Sequence, residues 1–128
     1  MIIDFSIENY KSIKEKVTFS LGAEGSNKLP KNLIKQNSLK LVRSSAIYGS
    51  NASGKSNLIE GLFFMWNMVI NSHTYTVNTK IPRTPYKFNE SSVKGPSSFE
   101  VNFIHGNVKY CYGFACTEEV VIEEYLYY

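Results

Sequence analysis

Eight residues, Gly49 to Ser56, read Gly-Ser-Asn-Ala-Ser-Gly-Lys-Ser and satisfy the spacing G-x-x-x-x-G-K-[ST]. This spacing constrains the fold more than any other stretch, because such a loop belongs between a strand and a helix. Gly49 permits a sharp exit from the strand. Gly54 lets backbone approach an anion with no Cβ in the way. Successive N–H groups from Asn51 through Ala52, Ser53 and Gly54 to Ser56 form a concave nest, closed by the positive end of the following helix. Lys55 offers a point charge for β- and γ-phosphates, and Ser56 a hydroxyl ligand for Mg²⁺.

Both flanks fit that context. Upstream, Ala46-Ile47-Tyr48 is a short apolar run of the kind that ends a buried strand. Downstream, Leu58, Ile59, Leu62, Trp66, Val69 and Ile70 recur at steps of three and four. They predict a helix over Gly54 to Asn71 with one apolar stripe.

Composition narrows the class. With 128 residues, 43% hydrophobic and 14% aromatic, the chain is long and apolar enough for one core, a single domain or part of one. The start Met1-Ile2-Ile3-Asp4 lacks the basic opening of a signal peptide. The longest apolar stretch, Leu58 to Ile70, is interrupted by Glu60 and Asn67 and is too short for a bilayer. A soluble, cytoplasmic protein with no membrane partner is expected. Cys111 and Cys116 lie five apart, which on one strand puts them on opposite faces and argues against a disulfide. With His73 and His105 they make no metal-ligand spacing.

The net charge of +3 is unevenly spread. No acid occurs from Gly25 to Ile59, whereas Lys28, Lys31, Lys35, Lys40, Arg43 and Lys55 all fall there. Such a half suits polyphosphate and could suit nucleic acid, though no interleaved aromatics support the latter.

Ahead of the loop, Ile3, Phe5 and Ile7, then Val17, Phe19 and Leu21, alternate with polar residues and predict two half-buried strands joined through Asn9 to Glu15. Gly22 to Lys40 reads as a long polar surface loop. Asn71 to Ser98, punctuated by Pro82, Pro85 and Pro96, is also loop-like, with a short strand at Tyr86-Lys87-Phe88. Phe99, Val101 and Phe103 then alternate, turn tightly at His105-Gly106-Asn107, and return through Val108, Tyr110, Tyr112 and Phe114. A turn near Thr117-Glu118 starts a third strand, Val120 to Tyr128.

Three local texts together resemble the amino-terminal part of bacterial AAA-family ATPases with ABC-type heads, relatives of RecF, SMC and OLD proteins. They are "FSIENYKSI…VTFSL", "YGSNASGKSNLIE" and "YKFN…SFEVNF…YCYGF…VIEEYLYY". The resemblance covers nearly the whole chain. Asn-Ala-Ser-Gly-Lys-Ser-Asn, ending at Asn57, is a variant of this group, with Ala52 where RecF and SMC proteins usually carry Gly. It implies an α/β P-loop NTPase fold: the N-terminal part of an ABC-type head with a flanking antiparallel sheet, here one partial ATP-binding domain over residues 1–128. ATP and Mg²⁺ are the implied cofactors. Lys11 and Ser12, within Asn9-Tyr10-Lys11-Ser12, match the turn whose basic residue reaches the phosphates. The implied setting is phage defence or a DNA transaction, with a homodimer of heads and a nuclease or DNA as partner.

An ABC-type head also needs a Q-loop glutamine, a signature Ser-x-Gly, a Walker B Asp-Glu pair and a switch histidine, all after the loop. The sole glutamine, Gln36, and the sole aspartate, Asp4, both precede it. Phe19-Ser20-Leu21-Gly22 imitates the signature but closes a strand. Val120 to Glu124 imitates Walker B but continues into the hairpin text. An N-terminal fragment that binds ATP without turning it over is therefore expected, completed by the remainder of the same ATPase. A nucleic-acid-binding or scaffold module with a vestigial loop is the alternative. A small kinase or a GTPase fits less well, since two strands precede the loop and a hairpin sheet follows the helix; guanine reading also lacks its Asn-Lys-x-Asp stretch.

Overall fold

Alternation at the start of the chain does build strands, because every second side chain can then enter one core. In the computed structural model, which describes residues 1–23, 30–36, 38–51 and 53–128, β1 spans Ile2–Glu8 and β2 Val17–Ser20. After a small hairpin, one long helix and a short one come β5 (Ser97–His105), β6 (Val108–Cys116) and β7 (Val121–Tyr127). These five strands form one antiparallel sheet in the order β2-β1-β5-β6-β7. The chain is thus mixed α/β with an antiparallel sheet.

One sheet face carries Phe5, Ile7, Phe99 and Phe114, all buried. Helix α1 (Lys55–Asn71) lies across it and contributes Leu58, Phe64, Met65 and Met68. Rings tie the layers together: Phe64 sits 4.9 Å from Phe99, which stacks on Phe114 at 5.2 Å. Gly61 makes the close approach possible, since a Cβ there would overlap the Ile7 Cδ1 methyl.

The opposite sheet face is polar. Ser6 and Thr18 hydroxyls pair at 2.8 Å, and Asn102 donates to Asp4 at 2.8 Å. Tyr125 packs over Gly113, where a Cβ would overlap its ring, and donates to Glu100 at 2.7 Å. That bond, helped by Lys16, holds the Glu100 carboxyl below its ordinary range despite partial burial. The β5–β6 turn is as expected: Gly106 and Asn107 both have positive φ, the geometry of a two-residue hairpin turn. Both cysteines are free, Cys116 buried and Cys111 half-buried.

Four expectations need correction. First, Gly22 to Lys40 is not all loop: Leu33–Gln36 (β3) and Leu39–Val42 (β4) pair as a hairpin. Leu41 is fully buried against Ile3 and Ile104, and residues 21–23 bond to β4, so the hairpin extends the sheet edge. Strands of four residues are too short to show a period of two. Second, Ala46-Ile47-Tyr48 is not a strand. None of the described strands lies beside it to complete a ladder, and Tyr48 is 90% exposed. Third, Tyr86 to Phe88 is not a strand: Lys87 and Phe88 form a turn, followed by the short helix α2 (Glu90–Lys94), where the Asn89 side chain accepts from the Ser91 amide.

Fourth, the buried side of α1 is not the stripe expected. Leu58 is inside, but Ile59, Trp66, Val69 and Ile70 are exposed, together with Phe63. The helix is apolar around most of its circumference, so periodicity alone does not choose a face. Gly61 chooses it, by letting that side sit against β1.

A buried polar joint fixes the β1–β2 turn. Asn9, with φ of 52°, donates to the carbonyls of Ser92 (2.6 Å) and Pro96 (2.9 Å) and accepts from the Tyr86 amide at 3.0 Å. Beside it Arg83, 8% exposed, donates to the carbonyls of Val93 and Gly95 and to the Ser97 hydroxyl.

Candidate functional site

The loop leads directly into α1, whose first bond runs from the Leu58 amide to the Gly54 carbonyl at 3.0 Å. Gly54 takes φ of 90°, a left-handed conformation costly for any residue with a Cβ. A Cβ there would also stand 3.2 Å from the Ser12 hydroxyl. Gly49, by contrast, is not left-handed. It is needed for space, because a Cβ would meet the Ser53 hydroxyl at 2.8 Å. The Ser53 amide bonds back to the Ser50 carbonyl at 3.3 Å and closes a turn inside the loop.

The helix start carries uncompensated positive polarity. No side chain caps α1 at Gly54, and its first turn holds no acidic residue. Its leading N–H groups and the positive end of its dipole therefore face outward without a protein carboxylate. Ser56 stands exposed in that first turn. The Lys55 ammonium folds over the loop and donates to the carbonyls of Gly49 (2.8 Å) and Ser50 (2.5 Å). An open pocket of about 400 Å³ adjoins it, polar along Gly49, Ser50 and Ser53 and apolar along Ile13, Val17 and Leu58. Asn51 is exposed at the loop tip, and Ala52 lies outside the described residues.

The β1–β2 turn leans on the same helix end. Asn57 donates to the Ser12 hydroxyl at 2.6 Å. One turn further along α1, Lys11 is ion-paired with Glu60. Lys11 also lies 5.7 Å from the Tyr10 ring centre and, like Asn9, has φ of 52°. The bond to Glu60 pushes the Lys11 ammonium above its ordinary pKa, while burial raises the Tyr10 phenol. The structure therefore gathers Ser12, Gly54, Lys55 and Asn57 at one point and holds Lys11 a helical turn away. Glu60 was not among the expected site residues. It is the acid that ends the acid-free stretch from Gly25 to Ile59, and that break in the charge pattern is the signal it left.

Among the described residues no cluster of His, Cys, Asp and Glu could hold a metal ion, and no helix is long and apolar enough to cross a membrane. The acidic end of the chain sits elsewhere. Val121–Tyr127 is the edge strand β7, with Glu124 accepting from the Tyr112 hydroxyl at 2.8 Å.

A family model described as "AAA domain, putative AbiEii toxin, Type IV TA system" matches residues 44–127, more than half of the chain. The chain belongs to this AAA domain family. The match runs from the segment before the loop through α1 to β7, and it supports a nucleotide-binding, ATPase-type domain. No curated protein and no solved structure matched.

Proposed function

We propose that the chain is the ATP·Mg²⁺-binding lobe of an ABC-type ATPase head. The observation that carries this is the helix start itself: left-handed Gly54, Lys55 folded over the loop, Ser56 exposed, and no acid or side-chain cap competing for the amides. That donor set fits a triphosphate with its metal. Amides and Lys55 would hold the phosphate oxygens, and Ser56 would ligate Mg²⁺, which when bound neutralises charge on the β- and γ-phosphates.

Two further features support the ABC-type plan. An antiparallel sheet flanks the nucleotide loop, and α1 is apolar on a second face that the described elements leave exposed. A helix apolar on two sides belongs between two layers. Segment 44–50 leads into the loop with no strand partner among the described residues. We assign that second layer to further elements of the same ATPase head, including its signature, Walker B and switch histidine. Pairing of two heads would then drive a conformational cycle, in phage defence or a DNA transaction, with a nuclease or DNA as partner.

Calorimetry with ATP and Mg²⁺ on the chain and on its Lys55→Ala variant tests the proposal. A lost contact to a charged group costs about 1.5–3 kcal/mol, so affinity should fall roughly ten- to a hundredfold. Turnover is expected only when the further head elements are present. Equal ATP affinity in both proteins refutes the assignment. Absent ATP binding with steeply salt-dependent DNA binding favours the vestigial-loop alternative instead.

A further inference from the structure

The Lys11 side chain, paired with Glu60 on α1, stands one helical turn from the start of that helix. Glu60 lies on α1 one turn beyond Asn57, and Asn57 holds Ser12. The Lys11 backbone is fixed as well, its amide donating to the Thr84 carbonyl at 2.8 Å. The side chain is free to change partner while that bond stays in place. Along the helix axis Glu60 and Ser56 are about 6 Å apart, at 1.5 Å per residue. The four-carbon lysine stem can cover that span from a fixed Cα.

We propose that Glu60 competes with nucleotide phosphate for Lys11 and thereby sets the affinity of the site. Paired with Glu60, the ammonium stays a turn away from the helix start. A polyphosphate at the loop draws it off, at the cost of the ion pair. The inference rests on the nucleotide reading of the loop and adds a role for an acid that reading does not use. Lys11 and Glu60 are both partly exposed, with side chains 33% and 49% accessible. Pairs of this kind are weak enough to be exchanged for a multiply charged anion.

The test is a double-mutant cycle read by calorimetry, with ATP·Mg²⁺ and with inorganic tripolyphosphate. It uses the unmodified chain, Glu60→Gln, Lys11→Ala and the double variant, each checked for an unchanged circular-dichroism spectrum. Glu60→Gln should tighten both ligands about two- to fivefold, the range of an exposed pair. Lys11→Ala should weaken both, and in its background Glu60→Gln should change little. Equal tightening in both backgrounds would mean through-space repulsion by Glu60 and overturn the proposal. So would no effect of Glu60→Gln, or none of Lys11→Ala. If ATP binds and Lys55→Ala abolishes it while the Glu60 variants are silent, the loop assignment stands and this inference alone fails. If nothing binds the unmodified chain, both fail.

Discussion

Asn9 illustrates how a residue near a ligand loop can be structural and still matter to the site. It occupies a left-handed conformation that asparagine tolerates better than most residues. Its amide satisfies carbonyls in the segment before β5, and its oxygen takes the Tyr86 amide. Alanine at this position would strand several partly buried polar groups at once. Asn9→Ala should therefore lose about 2–3 kcal/mol of stability in urea unfolding, with the midpoint moved down and the slope kept. A loss below about 0.5 kcal/mol would mean that water replaces those bonds. The sequence marked Asn9 only through its place before Lys11 and Ser12, since nothing in a single asparagine reports which distant carbonyls it meets. The loop is the opposite case. Gly54, Lys55 and Ser56 could be read directly, because a backbone nest needs specific residue types at fixed spacing.

Among elements, α1 shows where reading by periodicity succeeds and where it stops. Its existence and extent follow from the apolar steps after Lys55, and the helix runs Lys55–Asn71 as expected. Its orientation does not follow, because Ile59, Phe63, Trp66 and Ile70 form a stripe as regular as the buried one. Gly61 settles the matter by steric means that hydrophobicity does not encode. Gly61→Val should push the helix off β1 and cost about 1–3 kcal/mol as overpacking, seen as a lowered thermal midpoint. A midpoint equal to or above the parent would show that Ile7 simply rotates away. The three long strands were legible for a similar reason: β5 and β6 alternate over nine residues each, and the Gly106-Asn107 pair fixes their turn. The β3–β4 hairpin was hidden because its pairs are few. The segment before the loop looked like a strand because it is apolar, but a strand exists only with a neighbour to bond.

At the scale of the whole molecule, the exposed α1 face dominates. Trp66 is the sole tryptophan, 54% exposed and 5.5 Å from the Phe63 ring, so its emission reports on that face alone. Iodide should quench most of it in this chain. If the proposed second layer covers this face, its addition should shift the emission to the blue and protect it from quenching. Emission already blue and protected in the present chain would mean that the face is covered some other way. Elsewhere the joint around Arg83 has a consequence of its own. Among the described residues its guanidinium is held by backbone carbonyls and a hydroxyl rather than by a carboxylate, and its Nε has no partner. Acid cannot discharge such partners as it discharges Glu100 on the outer face. Acidification to below the ordinary carboxylate range should therefore loosen the sheet's polar surface first, while the knot that anchors the turn beside the loop keeps its grip.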